Sequence, residues 1–215
     1  MYRLNLVSEP VCEPLDIVDV KTHLRIDTDD EDAYLESLIT VARMAGESYT
    51  GRCFITQTYQ MFLDSWPAGT AYEPWWNGTK TGPLNIFSYN SSITIPNSPL
   101  QSITHIKTYD NADNATTMDP ASYQVSTYSG VSPQCGRVTL RDGAVWPSVT
   151  RNADGIEIEF VCGYGNQSDV PKQIKQALLE EVAYRYVNRG DCEMETGCCS
   201  STCQSLLATI KIREL

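Results

Sequence analysis

The sequence predicts an α+β fold: a small helical bundle of two N-terminal helices and one C-terminal helix, with an inserted antiparallel β domain. Three observations predict it. Apolar residues recur at helical spacing before residue 51, short alternating runs follow, and helical spacing returns after residue 171. Each helix has one apolar face that needs a partner, so the three helices are expected to pack on one another.

Two helices are predicted in the N-terminal part. The first covers residues 15–24, with Asp16 as a plausible cap and an apolar stripe along one side. The second covers residues 35–49, where apolar residues recur every three or four positions, and Gly51 ends it. The charged residues expected elsewhere on the surface of this helix are Glu36, Arg43 and Glu47.

The middle of the chain is rich in β-forming residues and turns. Between Trp66 and Tyr89, glycine, proline, asparagine and aromatic residues predict a long loop or irregular hairpin. Its Trp75–Trp76 pair suits either a contact surface or a local hydrophobic lid. Six strands are predicted, at residues 56–63, 92–95, 103–109, 123–128, 137–140 and 155–161.

Helical spacing near the C-terminus predicts a third helix. Pro171 suits its first turn, and an apolar row spaced by four residues runs from Ile174 to Tyr186. A short amphipathic tail occupies residues 204–215. The predicted division is an N-terminal helical part at 1–54, the inserted β domain at 55–165, the C-terminal helix that completes the bundle at 166–190, and a Cys-rich link with the tail at 191–215.

Charge and hydropathy exclude several classes of protein. The net charge is −11, from 16 basic and 27 acidic residues, and no basic cluster exists to neutralise phosphates. No apolar stretch reaches the length of about 18 residues that a membrane helix needs. The first ten residues contain no apolar leader segment, so we expect the protein to be made and kept in a cytoplasm.

No catalytic motif stands out. The two histidines, His23 and His105, have no serine or cysteine motif near them. The nucleophile elbow, the phosphate-binding loop and the H-E-x-x-H zinc pattern are all absent from the sequence. We therefore expect a protein that is not an enzyme and that needs no cofactor.

The eight cysteines fall into two groups. Four are dispersed, and of these Cys53 and Cys162 lie in apolar runs typical of buried thiols. The other four crowd into twelve residues, and their alternatives are a zinc site, an oxidised cross-link, or a linker with incidental thiols. The adjacent pair in this group does not fit the common spacing of zinc ligands. The crowded cysteines are Cys192, Cys198, Cys199 and Cys203.

A series of short motifs follows in order along almost the whole chain. The first is Val20-Lys-Thr-His-Leu-Arg-Ile-Asp27 followed by four acidic residues, and the second runs from Tyr34 through Gly51 and Arg52. Later motifs are Leu63-Asp-Ser-Trp-Pro67, Asp119-Pro-Ala-Ser-Tyr123, Trp146-Pro147, Cys162-Gly-Tyr-Gly165 and Val170-Pro171. In their number and order these motifs resemble the tailed-phage head–tail connector (adaptor, neck) family. The segment from Cys192 to Cys203 departs from the family pattern.

The resemblance implies a structural virion protein of the head–tail neck, assembled in the host cytoplasm. Such adaptors form a ring of about twelve subunits that uses two different faces of each subunit. The ring docks under the portal protein, extends the DNA channel, helps to retain packaged DNA and contacts a neck or tail-completion protein. DNA would pass an acidic lumen without specific binding.

Two partner-binding segments follow as weaker expectations. The tail is expected either to dock on the portal or to pack on the core of its own chain. A different function is also open: a non-catalytic zinc- or carbohydrate-binding β domain of a phage tail that exposes its tryptophans. The residues concerned are Leu206, Leu207, Ile210 and Ile212 of the tail, and Trp75 and Trp76.

Overall fold

The computed structural model describes residues 2–66, 92–127, 135–189 and 199–212. These residues form four α-helices and eight strands. In chain order they are β1 (Tyr2–Ser8), α1 (Ile17–Leu24), α2 (Asp32–Thr50), β2 (Gln57–Leu63), β3 (Ser92–Ile95), β4 (Leu100–Tyr109), β5 (Ala115–Thr117), β6 (Tyr123–Ser126), β7 (Gly136–Leu140), β8 (Ile156–Cys162), α3 (Lys172–Val187) and α4 (Ser201–Leu207).

The ends of the N-terminal helices follow from local chemistry. The Asp16 side chain accepts a hydrogen bond from the backbone N–H of Val18 and so caps α1, as predicted. Helix α2 ends at Gly51, whose φ of 69° lies in the left-handed region and whose N–H donates to the carbonyl of Glu47. The predicted α+β fold, with helices and antiparallel sheets, is confirmed.

The strands form two antiparallel sheets. The larger has the order β1-β2-β8-β4-β5, and the smaller has the order β3-β7-β6. All six predicted strands are present, with small shifts of their ends. The strands β1 and β5 were not predicted, and β1 lies within the part that was expected to be helical. It pairs with β2 from Tyr2 opposite Leu63 to Ser8 opposite Thr58, so the first residues of the chain belong to the sheet.

Two hydrophobic clusters hold these layers together. One joins the four helices, and Leu35, Ile174 and Leu178 are among its fully buried side chains. The other lies between the two sheets and includes Met61 and Phe160. Burial of each such side chain contributes about 1.5–3 kcal/mol relative to exposure. The predicted contact among the three long helices is therefore present, and α4 joins it as well.

Two charged residues of α2 correct the surface prediction. Arg43 retains only 8% exposure, and Glu47 is half-buried, whereas Glu36 is exposed as expected. The cause is the segment that leads from β1 to α1, since the Glu13 carboxylate accepts a hydrogen bond from Arg43. None of the described helices combines the length and the apolarity that crossing a bilayer requires.

Candidate functional site

Strand β1 presents an unusual surface for the edge of a sheet. It is paired with β2 on one side only, and every one of its residues is exposed. Tyr2, Leu4 and Leu6 lie opposite Leu63, Met61 and Tyr59, so they continue the core-facing side of the sheet. They nevertheless remain 45%, 38% and 40% exposed. An open, apolar edge of this length is a template for another chain.

A groove runs between β1 and α2. Its volume is about 490 Å³, and it is lined by Leu6, Pro10 and Met44 together with charged residues. Met44 is 58% exposed and Val41 of the same helix is 41% exposed. The groove therefore extends the apolar edge of β1 across the outer side of α2.

The charged side chains at the bottom of this groove form ion pairs with one another. Arg43 donates to Glu13 at 2.8 Å and to Glu47 at 2.9 Å. The second oxygen of Glu47 accepts from the backbone N–H of Phe54 at 2.7 Å and from the Gln57 amide at 2.9 Å. Burial raises the pKa of Glu47, although these hydrogen bonds and the Arg43 charge oppose the rise. The network therefore fixes β1, α2 and β2 relative to one another.

The C-terminal tail packs on its own chain over the described residues. Leu207 and Ile210 are buried in the helical core, whereas Leu206 and Ile212 are only half-buried. The backbone also holds the tail, since Ile212 donates to the carbonyl of Thr50 at 2.9 Å and Arg52 donates to the carbonyl of Ile210. Of the four tail residues predicted to bind a partner, two are thus occupied by the chain's own core.

A polar cluster lies on the outer face of the larger sheet. His105 contacts Glu157 at 2.8 Å, and Tyr109 donates to the same carboxylate. Burial is the largest single effect on Glu157 and raises its pKa. The hydrogen bonds from Tyr109 and His105, together with the nearby charge of Lys107, outweigh it and leave the pKa of Glu157 below its usual value. None of these hydrogen bonds reaches a serine or cysteine, and the other histidine, His23, lies exposed on α1. Within the described residues, this cluster therefore pairs an imidazole with a carboxylate and not with a serine or a cysteine.

Four of the described cysteines lie in two close pairs. The thiols of Cys53 and Cys162 are buried, as predicted, with their sulfur atoms 3.2 Å apart. Cys199 and Cys203 are buried beside the carboxylate of Glu181 at the junction of α3 and α4. The remaining predicted site residues, Cys192, Cys198, Trp75 and Trp76, lie outside the described residues.

Comparison with protein families decides the identity of the chain. The family model of the phage gp6-like head-tail connector protein matches residues 15–128, a little over half of the chain. The chain belongs to the phage gp6-like head-tail connector family. The connector is thus a structural protein of the head–tail junction in a phage-like particle, as the sequence motifs had indicated. No match was found among curated proteins.

Solved structures share the fold of the connector over its full length. A chain in the neck of an empty gene transfer agent (GTA) particle, computed with C6 symmetry, has a TM-score of 0.72 at 22% identity and covers 99% of this chain and 97% of its own. A chain of the native GTA virion has a TM-score of 0.71 at 22% identity, with coverages of 99% and 96%. A chain in the native GTA neck computed with C12 symmetry has a TM-score of 0.67 at 20% identity, with coverages of 99% and 97%.

Sequence reasoning missed two features of the connector, the edge strand β1 and the buried carboxylate of Glu181. The alternation of Tyr2, Leu4 and Leu6 carries a strand signal that would have located β1. Glu181 gave no comparable signal, because a carboxylate in a polar helical run is normally exposed. Only the packing of α4 on α3 makes it a buried group.

Proposed function

We propose that the connector is the subunit of a ring that docks under the portal, extends the DNA channel, and supports tail attachment and retention of packaged DNA. Family membership supports a place at the head–tail junction. The structural neighbours in GTA necks were computed with C6 and C12 symmetry, which supports a ring. The observation that carries the proposal furthest is the open edge of β1.

A ring needs two different faces on each subunit, one for each neighbour. The larger sheet ends in β1 on one side and in β5 on the other, and β5 is exposed along its three residues. We assign β1, with the groove against α2, to the contact with one neighbouring copy. A neighbour seated there covers Leu4, Leu6 and Met44, which the isolated subunit leaves in water.

The charge of the connector suits a channel through which DNA slides. With a net charge of −11 the ring as a whole repels phosphates, and no basic cluster in the sequence holds the duplex in place. A neck or tail-completion protein would bind the far end of the ring. We also propose that the tail contacts the portal. Of the four apolar tail residues named for that contact, Leu206 and Ile212 are the two that keep exposed area in the folded subunit.

The test of the ring surface compares β1 with an equally apolar surface elsewhere. The double variant Leu4→Lys/Leu6→Lys places two charges on the open edge, and Val18→Lys places one on α1, where the side chain is 64% exposed. Both variants should unfold at nearly the wild-type temperature, because these side chains already contact water. We expect particles with Val18→Lys to be normal. Particles with the β1 variant should lack the connector and lose their DNA or tails.

Two outcomes would contradict the proposal at different levels. Normal rings and infectious particles with the β1 variant would exclude β1 as the contact between copies. Normal infectious particles after deletion of the whole connector would exclude the neck function itself. Electron microscopy of the particles and immunoblots for the connector distinguish the two results.

A further inference from the structure

Three ligand groups of a soft or borderline metal converge where α4 packs on α3. Glu181 comes from α3, Cys199 precedes α4, and Cys203 lies in its first turn. One carboxylate oxygen and the two sulfur atoms all lie within 4.8 Å of one another. The three residues are 1%, 2% and 0% exposed, respectively. Such a group of buried side chains is a structural feature that the neck function does not use.

Local hydrogen bonds hold the three groups in place. Ser200 caps α4, because its hydroxyl accepts from the backbone N–H of Cys203 at 3.3 Å, and this cap sets the path of the chain between the two cysteines. The backbone N–H of Ser200 in turn donates to Glu181 at 2.7 Å. The other oxygen of that carboxylate accepts from Arg185 at 2.7 Å. Each carboxylate oxygen keeps a further lone pair, and ligating carboxylates are commonly fixed by such outer hydrogen bonds.

We propose that Glu181, Cys199 and Cys203 bind a zinc ion that ties α4 to α3. Two thiolates and a carboxylate suit zinc better than magnesium or calcium, which prefer oxygen donors alone. Cysteines four residues apart also fall within the usual spacing of zinc ligands. The three donors found among the described residues occupy three tetrahedral positions, and a further donor or a water molecule can fill the fourth.

The binding step balances in charge and in protons. Zinc forms two bonds to sulfur, the two S–H bonds break, and two protons pass to solvent, with no change of oxidation state. The two positive charges of the ion replace those of the two protons. The ion pair of Glu181 with Arg185 is neutral before and after the step. The site therefore takes up zinc without a net charge in its buried surroundings, which removes the largest cost of placing an ion there.

The first experiment measures bound zinc on the full chain. The protein is purified with a phosphine reductant and without chelator, exposed to zinc, desalted and analysed for metal. The unaltered chain should hold about one zinc per chain, and the Cys199→Ser/Cys203→Ser variant should hold roughly a tenth of that or less. Glu181→Gln should bind more weakly, whereas the matched controls Cys12→Ser and Glu180→Gln should bind normally. A dye should report about two protons released per zinc.

The second experiment needs no variant and stays informative if the substitutions prevent folding. The unaltered chain is treated with an alkylating reagent with zinc and with a chelator, at a denaturant concentration at which the chelated chain reacts at Cys199 and Cys203. Each cysteine is followed by peptide mass spectrometry. Zinc should protect Cys199 and Cys203 and leave Cys12 unchanged. Equal labelling of Cys199 and Cys203 in both states overturns the proposal. So does less than roughly a tenth of an equivalent of zinc on the unaltered chain, or a mass lower by two hydrogens that places a disulfide there.

Discussion

The guanidinium of Arg43 donates to the carboxylate of Glu13 across 2.8 Å, and this contact fixes the segment after β1 against α2. The same carboxylate accepts from the hydroxyl of Thr40 at 3.0 Å. Arg43 also pairs with Glu47 at 2.9 Å, one turn further along α2. Because Arg43 is only 8% exposed, the position of β1 relative to the helices depends on a largely buried cation.

Replacing Arg43 by methionine should lower the free energy of unfolding by roughly 3 kcal/mol, because two carboxylates lose their cation in a place that water barely reaches. Hydrogen exchange should rise along β1 and the segment up to Glu13. Chemical denaturation and exchange mass spectrometry measure the two effects. Arg137→Met, on an exposed position of β7, is the control and should change little. If both variants lost the same free energy of unfolding, the buried contacts of Arg43 would stabilise the protein no more than an exposed arginine does.

The carboxylate of Glu157 makes the larger sheet sensitive to acid. Its pKa lies below the usual 4.5, because the hydrogen bonds from Tyr109 and His105 and the charge of Lys107 together outweigh the effect of burial. A carboxyl group whose pKa is lowered by folding adds stability above about pH 4.5, and this stability is lost as the pH falls through the lowered value. Stability should therefore decline below pH 4.5 in a way that depends on Tyr109.

Tyr109→Phe tests that dependence directly. The variant should be less stable by about 1–2 kcal/mol at neutral pH, since it removes a hydrogen bond to a charged group. The stability that the variant loses on acidification should be smaller than the stability that the unaltered chain loses. The hydrogen bond to Glu157 also raises the pKa of Tyr109 to about 12. In an absorbance titration of the tyrosines, the variant should therefore lack one of the groups that ionise at the highest pH. Tyr184→Phe is the control, because its hydroxyl has no hydrogen bond among the described residues, and an identical acid profile for both variants would refute the assignment.

The parts of the fold that the sequence predicted are those with long periodic signals. Helix α2 repeats its apolar positions over five turns, and β8 alternates from Ile156 to Phe160, so local pattern and tertiary packing agree there. Strand β5 has only three residues, all exposed, and exists because Lys107, Thr108 and Tyr109 of β4 offer it partners. A pairing of that kind is not encoded in the three residues themselves.

Charged residues were the other source of error, and the reason is physical. Arginine and glutamate are usually exposed to water, so residue type alone predicts that Arg43 and Glu181 lie on the surface. Whether they are buried depends on which other segment of the chain packs over them. The segment at Glu13 covers Arg43, and α4 covers Glu181. The candidate metal site was accordingly placed on four cysteines close in sequence, whereas its carboxylate comes from a helix that precedes them.

Gly46 lies on the buried face of α2, close to Phe54 and Leu178. A Cβ there would lie 2.8 Å from a ring carbon of Phe54 and 3.3 Å from a methyl group of Leu178. Gly46→Ala gains about 1 kcal/mol of helix propensity. It should still destabilise the protein by about 1–2 kcal/mol net, because overpacking costs more. Thermal denaturation shows whether the variant is less or more stable than the unaltered chain. Ser48→Ala, on the exposed side of α2, is the control. A higher melting temperature for Gly46→Ala would contradict the prediction and show that the Phe54 ring moves to make room for the methyl group.

Arg52 helps to hold the C-terminal tail on its own subunit through a hydrogen bond to the tail backbone. It is 3% exposed, donates to the carbonyl of Ile210, and lies 3.3 Å from the hydroxyl of Ser98. Arg52→Met should raise hydrogen exchange over residues 208–212 and leave α2 protected, because the carbonyl loses its buried donor. Lys172→Met, at an exposed position of α3, is the control. If Leu207 and Ile210 bind the portal after the tail leaves the core, Arg52→Met should bind portal more tightly, because the cost of releasing the tail falls. If only Leu206 and Ile212 make that contact, Arg52→Met should bind portal more weakly. The mobile tail then loses conformational entropy when it binds, and this cost lowers the affinity.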